Sequence, residues 1–444
     1  MIDVFIERFK AAGRSIALIT DDASITYQDL LSGLEYWQPK LIDAGIRRGD
    51  VVLLKGDFST ASITGLFALF QLGAIVILLA PSSYEKEDEF TEVGQAQFVI
   101  DSEIFRISKL SFEGQHALYD SIRSDRAPGV VFFSSGSTGA SKGTVHNAAR
   151  LMEKFRNPGK NLRTLAFLLF DHIAGIDTLF YSLANQSTLV LTQNRSPDFV
   201  ASLIDRHKVE VLPTAPSFLN LLMLSGAPER HDLSSLKIIT YGSEMMAQST
   251  LERCAKTFPF AKIIQKYGTS ETGALSGKSK SNTSTWIKLG GNGVEWRVVD
   301  DKFEIKANTT MLGYLNAPSP FTDDGYFKTG DRVEQDGEYV RFLGRDSDII
   351  NIGGQKVFPA EIENLLRDMD EVADVAVYGQ SHPILGAAVV AKILPKNKDW
   401  PAIEARKAVR AHLSGKIEGY KIPQKILLTD EALTTSRFKQ IRKA

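Results

Sequence analysis

Residues 134–143 read Ser-Ser-Gly-Ser-Thr-Gly-Ala-Ser-Lys-Gly and directly follow the apolar run Val130–Phe133. The apolar run predicts a buried strand, and the glycines predict a flexible loop after it, because glycine permits positive φ angles and close backbone approach. Hydroxyls, backbone N–H groups and a lysine in one loop can surround phosphate oxygens. The pattern therefore predicts a binding site for the phosphates of a nucleotide.

Two other interpretations of this loop compete with the first. One is a solvated Ser/Gly-rich surface loop. The other is the Walker-type loop GxxxxGK[ST], which, counted from Gly136, requires glycine at position 141 and Ser or Thr at position 143. Ser141 and Gly143 occupy those positions, so the Walker pattern fails twice.

The loop instead resembles the phosphate-binding signature [ST]SG[ST]TGxPKG of the adenylate-forming enzymes. This superfamily includes acyl- and aryl-CoA ligases, luciferase and the adenylation domains of peptide synthetases. Ser141 stands at the proline position, which reduces loop stiffness and removes no phosphate donor. The resemblance implies a catalytic role for Thr138 and nucleotide binding by Ser135, Gly136, Ser137, Thr138, Gly139 and Lys142.

Length and composition limit the remaining possibilities. A chain of 444 residues is expected to form two or three domains. The net charge of −1, from 52 basic and 53 acidic residues, argues against a nucleic-acid or membrane-surface binder. Cys254 is the single cysteine, which excludes an intrachain disulfide and predicts a reducing, cytoplasmic location. The N-terminus lacks a secretory apolar core, and residues 63–80 predict a helix and a buried strand, with no membrane span.

The order of apolar patterns along the chain predicts the fold class. Short β-branched runs alternate with helical patterns before and after the phosphate loop, which is typical of a wound α/β sheet. Residues 286–345 change to short strands and glycine turns, and an α+β pattern follows them. We therefore predict an α/β fold with a large N-terminal domain, residues 1–345, of wound α/β subdomains plus a small β-rich lobe. A small mobile α+β C-terminal domain, residues 346–444, follows it.

A second motif supports the resemblance. Tyr267-Gly268-Thr269-Ser270-Glu271 is similar to the family's YGxTE, with Ser270 in place of threonine. An aromatic ring can stack on adenine, and a carboxylate suits Mg²⁺. The resemblance implies that Tyr267 stacks on the base, that Glu271 is the catalytic, metal-binding carboxylate, and that the residues between them bind the nucleotide. The alternative is a core tyrosine followed by a glutamate that begins a helix.

Two shorter motifs lie on either side of it. Gly242, Ser243 and Glu244 occupy the place where family members carry a turn along the adenine, although such a triplet alone is also an ordinary turn. Tyr326–Asp331 resembles the signature W/YxxTGD. A carboxylate can accept hydrogen bonds from both ribose hydroxyls, so the resemblance implies that Asp331 binds the ribose. The alternative is a solvated turn aspartate.

The segment Gly344–Glu363 resembles the family's hinge, GRxxDxIxxxGxxVxPxEIE. The resemblance implies that Arg345 contacts the ribose or a phosphate and that Gly353 and Gly354 line a thiol tunnel. Ser347 occupies the hinge position, where members usually have Asp or Lys.

The end of the chain, Thr434–Arg442, resembles the terminal family motif with the core GKxxR, and Phe438 replaces its glycine. The resemblance implies that Lys439 is the catalytic lysine. Its ammonium can bridge the substrate carboxylate and an α-phosphate oxygen, which reduces the repulsion between the two anions. A solvated basic tail is the alternative.

Phe170–Gly175 contains the HxxG pattern that CoA-ligase relatives place beside the acyl group, so the resemblance implies that His172 gates an acyl pocket. In the competing pattern FDxS, Asp171 would bind a substrate ammonium, but Ile173 stands at the serine position. A histidine satisfied within the core is the third possibility.

Together these resemblances imply an AMP-forming acid–thiol ligase. It would use ATP and Mg²⁺ to adenylate a small carboxylic acid, and the small domain would then rotate so that the thiol of CoA receives the acyl group. An N-terminal region shorter than in many members favours an acid without a long chain. One alternative is an adenylation enzyme that loads the phosphopantetheine of an acyl carrier protein. Another is a degenerate nucleotide-binding member, suggested by Phe438 and Ser347.

Overall fold

The computed structural model of the chain describes residues 1–135, 141–291, 293–382, 386–435 and 441. The α-helices of this part of the chain are α1 (Ile2–Ala12), α2 (Tyr27–Asp43), α3 (Thr60–Leu72), α4 (Glu87–Gly94), α5 (Ala117–Ser124), α6 (Ala148–Glu153), α7 (Ile173–Ala184), α8 (Pro197–His207), α9 (Pro216–Leu224), α10 (Ala227–Arg230), α11 (Gln248–Thr257), α12 (Pro359–Arg367) and α13 (Ala402–Leu413). The strands of the large α/β part are β1 (Ile16–Ile19), β2 (Ser24–Thr26), β3 (Val51–Lys55), β4 (Ile75–Leu79), β5 (Phe98–Asp101), β6 (Arg106–Lys109), β7 (Gly129–Ser135), β8 (Ser141–Asn147), β9 (Thr164–Ala166), β10 (Leu189–Leu191), β11 (Val211–Thr214), β12 (Ile238–Tyr241) and β13 (Lys262–Gln265). The strands that follow are β14 (Tyr267–Thr269), β15 (Gly273–Leu275), β16 (Gly277–Ser279), β17 (Ile287–Leu289), β18 (Glu295–Val299), β19 (Lys302–Lys306), β20 (Gly313–Tyr314), β21 (Phe327–Asp336), β22 (Tyr339–Arg345), β23 (Ile350–Ile352), β24 (Gln355–Val357), β25 (Val372–His382), β26 (Gly386–Pro395) and β27 (Lys425–Leu428).

Two seven-stranded sheets form the large α/β part. Their strand orders are β20-β8-β7-β4-β3-β5-β6 and β13-β12-β11-β9-β10-β1-β2, and the central strands of both are parallel. Buried parallel strands need apolar side chains on both faces. Val51–Lys55 and Ile75–Leu79 provide them, since nearly every residue of both strands is buried.

Helices α1, α2, α3 and α7 share one apolar core with both sheets. At its centre the ring of Phe5 packs against Phe67 and Phe180, with centroid distances of 5.7 and 5.9 Å. These contacts join α1, α3 and α7, so the two sheets are held in a fixed relation by one helical layer. Residues 63–80 form most of α3 and all of β4, as their pattern predicts. Among the described helices, none is both long enough and apolar enough to cross a membrane.

The rest of the chain forms two smaller units with their own cores. An antiparallel sheet with the order β16-β17-β22-β21-β19-β18 packs around Phe303 and Phe342. After Arg345, the sheet β25-β26-β27, the hairpin β23–β24 and helices α12 and α13 enclose a separate core that begins at Ile350. The predicted fold class, wound α/β subdomains with a β-rich lobe and a small α+β domain, is confirmed.

Candidate active site

Two adjoining cavities lie at one edge of the large α/β part, and residues of all three units line the first of them. One, of about 350 Å³, extends to Arg345 and Ser347, and we call it the hinge cavity. The other, of about 360 Å³, extends to His172 and Asp177, and we call it the α7 cavity. Their shared walls are formed by Ser243, Lys266, Tyr267 and Gly268, and Gly242 lines only the α7 cavity. A ligand that spans both cavities would therefore pass these residues.

Parallel strands bring the shared wall together. Gly242 and Ser243 follow β12, and Lys266 and Tyr267 follow its neighbour β13. The carboxyl ends of parallel strands lie at one edge of a sheet, where such folds bind ligands. A Cβ on Gly242 would lie 2.8 Å from the carbonyl oxygen of Lys266, so only glycine fits this approach. Ser243 has a φ of 70°, a strained conformation that often marks a functional site.

Most of the described residues expected to bind the nucleotide line the hinge cavity. These are Ser243, Glu244, Tyr267, Gly268, Thr269, Asp331 and Arg345, and Ser347 joins them. Gly242 lines the adjoining α7 cavity. Gly353 and Gly354 lie instead at the turn of the β23–β24 hairpin, outside both cavity walls. Ser135 ends β7. The expected site residues that lie outside the described part of the chain are Gly136, Ser137, Thr138, Gly139 and Lys439.

A hydrogen-bonded network surrounds Asp331. The Tyr267 hydroxyl donates to its Oδ2 at 2.6 Å, and Arg345 Nε donates to its Oδ1 at 3.0 Å. Burial raises the pKa of Asp331, and the Arg345 charge opposes that rise. Each carboxylate oxygen can still accept a second hydrogen bond. The geometry is therefore compatible with the ribose role predicted for Asp331.

One face of the Tyr267 ring is already covered. Phe342 stacks on it at a centroid distance of 4.3 Å and an interplanar angle of 9°, and Phe303 meets it edge-on at 5.4 Å. Because Phe342 occupies one face of the ring, a base could stack only on the opposite face. The predicted adenine stacking is therefore restricted to that opposite face.

Tyr314 links the phosphate loop to Glu271. Its hydroxyl donates to Glu271 Oε1 at 2.8 Å, and Lys142 Nζ lies 5.4 Å from the centroid of its ring. The lysine of the loop and the expected metal-binding carboxylate thus both contact one tyrosine. The motif pattern gave no reason to single out Tyr314, because it lies 43 residues after Glu271.

His146 supports the backbone beside Glu271. Its ring nitrogens lie 2.6 Å from the carbonyl oxygen of Ser270 and 3.2 Å from that of Thr309. Burial lowers the pKa of His146, so a neutral ring that donates to one of the two carbonyls is favoured. Sequence reasoning assigned this histidine no role, since it matches no family position. The structure places it behind the YGxTE-like segment as a positioning residue.

Glu271 is also the residue to test for a metal role. Among the described residues, no group of three or more His, Cys, Asp or Glu side chains could hold a metal ion by itself. Mg²⁺ is commonly held by one or two carboxylates together with substrate phosphates. A lone carboxylate beside the phosphate loop fits a Mg²⁺ ion that arrives with the nucleotide.

Glu244 lies between the large part of the chain and the small domain. Its Oε2 accepts hydrogen bonds from the Ser217 N–H at 3.0 Å and the Ser217 hydroxyl at 2.5 Å. Its Oε1 is buried and has no hydrogen-bond partner among the described residues. Burial raises the pKa of Glu244 to about 7; the Ser217 bonds and Arg367 oppose the rise, and Asp374 adds to it. Nearby, Asn220 Nδ2 donates to the Ala373 carbonyl at 2.9 Å and joins the two units.

Replacing Glu244 with glutamine should change how stability depends on pH. The unfolded carboxyl ionises near pH 4.5 and the folded one near pH 7, so ionisation favours unfolding between these values. As the pH rises from 4.5 to 7, we expect the Tm of the wild type to fall relative to the Glu244→Gln variant and then to level off. Thermal unfolding across this range measures it, with Glu35→Gln on the exposed face of α2 as the control. A Tm difference that does not vary with pH would contradict the burial of this carboxyl.

The α7 cavity has mostly apolar walls. Its apolar lining includes Phe155, Leu168, Ile173, Val211, Ile264 and Leu275. His172 lies at its edge, where its Nδ1 accepts a hydrogen bond from the Ala174 N–H at 3.3 Å and caps α7. Asp171 is only 2% exposed and accepts a 3.4 Å hydrogen bond from Ser83. The geometry thus favours His172 over Asp171 as the residue beside a substrate.

The glycine of the HxxG pattern has a packing reason. A Cβ on Gly175 would lie 2.0 Å from the carbonyl oxygen of Leu169, so a larger residue would push α7 away from the preceding loop. This close approach fixes the start of α7, where Ile173 and Ala174 line the α7 cavity.

Family models give the class of protein. The model described as AMP-binding enzyme matches residues 5–327, and the model described as AMP-binding enzyme C-terminal domain matches residues 361–439. The chain therefore belongs to the AMP-binding enzyme family, and the resemblance drawn from its motifs is confirmed.

Individual relatives are similar to the chain over most of its length. The 2-succinylbenzoate–CoA ligase of Listeria monocytogenes is 25% identical, over 97% of this chain and 96% of its own. The indoleacetate–CoA ligase of Aromatoleum aromaticum is 28% identical over 70% of this chain, and the match spans 65% of that relative's length. Among solved structures, o-succinylbenzoate CoA synthetase from Bacillus subtilis, in complex with the acyl-adenylate intermediate OSB-AMP, superposes with a TM-score of 0.79. It is 22% identical and covers 99% of this chain and 96% of its own. This likeness supports the fold.

Proposed function

We propose that this chain is an AMP-forming acid–thiol ligase, which adenylates a small carboxylic acid with ATP and transfers the acyl group to CoA. The observation that carries the proposal is the meeting of the two cavities at Ser243, Lys266, Tyr267 and Gly268. One cavity offers a carboxylate and a guanidinium suited to a nucleotide, and the other offers apolar walls suited to the body of an acid. The relatives named as CoA ligases support the same conclusion.

In the first step, the carboxylate oxygen of the acid attacks the α-phosphorus of ATP and pyrophosphate leaves. Asp331 and Arg345 hold the ribose side of the nucleotide, and Tyr267 offers its uncovered face to the base. Lys142 and the loop before it neutralise the phosphates. Glu271, which accepts a hydrogen bond from the Tyr314 hydroxyl, would hold a Mg²⁺ ion, and that ion would neutralise phosphate charge. Lys439 brings a cation to the carboxylate and the α-phosphate.

In the second step, the thiol attacks the acyl carbon and AMP leaves. We propose that the chain divides at Arg345 and that the small domain rotates about Ser347 between the two steps. Ser347 lies in the short 3₁₀ turn Asp346–Asp348, between the last strand of the β-rich lobe and the first residue of the small domain's core. The hydroxyl of Ser347 donates to Asp348 Oδ1 at 3.1 Å, a local contact that lets the turn act as a joint.

Exchange of labelled pyrophosphate into ATP tests the proposal. We expect exchange that depends on an added carboxylic acid, followed by CoA-dependent release of AMP. A different result is acid-dependent exchange with turnover on a carrier protein and none on CoA. It would show that the acceptor is the carrier protein and not CoA. ATP binding with no exchange for any acid would contradict the proposed ligase and favour a degenerate nucleotide-binding member.

A further inference from the structure

The α7 cavity contains three charged side chains in otherwise apolar walls. Lys154, Asp177 and Lys266 all line it. A cavity that only accommodates an apolar acid has no need of charged side chains, since an apolar ligand that covers a charge removes it from water, and that is costly. The number and pairing of these charges therefore bear on the acid that the proposed ligase accepts.

Lys154 and Asp177 satisfy each other. They form an ion pair in which the side chains are 11% and 28% exposed, and Lys154 Nζ also donates to the Ala274 carbonyl at 2.6 Å. This pair adds no net charge to the cavity. Lys154 directly follows α6, and Asp177 lies in α7. Both helices pack into the large apolar core, so the positions of the two charges are fixed.

Lys266 is the third charge, and it differs from the other two. Within the part of the chain that the structure describes, its ammonium makes no ion pair or side-chain hydrogen bond. It is accessible from the cavities but enclosed by protein, and this enclosure lowers its pKa. Asp177 opposes that lowering and Lys154 adds to it. One uncompensated cation thus remains in the cavity.

The charges that act on the Lys266 ammonium lie on the acid side of the junction. Lys266 lines both cavities, but these two charges, Asp177 and Lys154, line only the α7 cavity. The cation is therefore placed to meet a substituent of the acid that lies among the apolar walls. The lysine implied to act on the reacting carboxyl is a different one, Lys439.

We propose that Lys266 binds a second anionic group on the substrate, so that the preferred acid carries a carboxylate or similar anion besides the carboxyl that is adenylated. This inference rests on the proposed ligase function and names the substrate class for it. The second anion provides Lys266 with the charged partner that the protein does not supply. Hydrogen bonds between charged groups contribute about 1.5–3 kcal/mol, which corresponds to roughly a tenfold to hundredfold preference.

Matched pairs of acids test this inference. Each pair differs by one carboxylate: adipate and hexanoate, 3-carboxyphenylacetate and phenylacetate, 2-succinylbenzoate and 4-oxo-4-phenylbutyrate. The kcat/KM for pyrophosphate exchange is measured for each acid with the wild type. In at least one pair, we expect the dianionic member to be favoured by about tenfold or more.

Variants of Lys266 test whether this residue causes the preference for the dianionic acid. In Lys266→Met we expect the preference to fall to near one, with little change for the monoacid, and in Lys266→Arg we expect part of it to return. Lys262→Met is the matched control, since Lys262 is an exposed lysine at the start of β13, the strand that Lys266 follows, and it lines neither cavity.

Three results would overturn the inference. First, the wild type could prefer the monoacid in every pair. Second, the Lys266→Met variant could keep the preference for the diacid. Third, this variant could show kcat/KM values reduced equally for both acids of a pair. The wild-type comparison needs no variant and so does not depend on the folding of Lys266→Met. Absence of exchange with every acid is a different result, because it would contradict the ligase function itself.

Discussion

Replacing Lys439 with alanine is expected to reduce acid-dependent pyrophosphate exchange by about 10²–10³-fold, the usual cost of removing one charge-stabilising group from an active site. The reason is electrostatic: the attacking carboxylate and the α-phosphate are both anions, and this ammonium lowers their repulsion. The match to the C-terminal family model covers residues 361–439 and so includes this lysine. ATP binding, measured by calorimetry, should be nearly unchanged.

Lys443→Ala is the matched control for Lys439→Ala, because it removes a lysine from the same basic tail. If both variants retain exchange, the tail is only a solvated basic segment. If both lose exchange equally, the effect comes from general tail charge and Lys439 has no special role.

Replacing Glu271 with glutamine is expected to lower exchange by about 10²-fold and to raise the Mg²⁺ concentration needed for half-maximal rate. The amide keeps the size of the side chain and can still accept the Tyr314 hydroxyl, but it lacks the negative charge that a hard cation requires. A Mg²⁺ titration at a fixed ATP concentration distinguishes a weaker affinity for Mg²⁺ from a general loss of activity. Binding of Mn²⁺ in the presence of ATP gives a readout that does not depend on turnover.

Tyr314→Phe is the control for Glu271→Gln. It removes the 2.8 Å hydrogen bond to Glu271 and keeps the ring that lies beside Lys142. We expect a loss of less than about tenfold, in line with one hydrogen bond to a charged group. An unchanged Mg²⁺ requirement in Glu271→Gln would show that this carboxylate does not hold the metal.

Features that depend on neighbouring residues could be predicted from the sequence. The apolar run before the phosphate loop forms β7, and the pattern of residues 63–80 gives α3 and β4. Seven of the nucleotide-binding residues expected from the motifs line one cavity in the structure. Each of these follows from local pattern or from a motif read as a unit.

Features that depend on packing between distant segments could not be predicted. Tyr267 and Asp331 lie 64 residues apart and meet only because the β-rich lobe folds back on β14. The stacking of Tyr267 on Phe342 has the same origin. Nothing in the motif marks Lys266, which simply precedes Tyr267 in the chain.

The two glycines of the hinge motif, Gly353 and Gly354, can be explained by the backbone of the turn in which they lie. Their φ angles are 56° and 90°, and they form the two-residue turn of the β23–β24 hairpin. Positive φ at both turn residues favours glycine without any ligand. Their role in a thiol tunnel stays a prediction that this turn does not test.

Product analysis tests the central claim most directly. With ATP, Mg²⁺, an accepted acid and CoA, chromatography of the nucleotides and an assay for the released phosphates identify the bond that breaks. Attack at the α-phosphorus predicts AMP and pyrophosphate in equal amounts, formed only when the acid is present. ADP and inorganic phosphate would contradict the account, because they require attack at the γ-phosphorus.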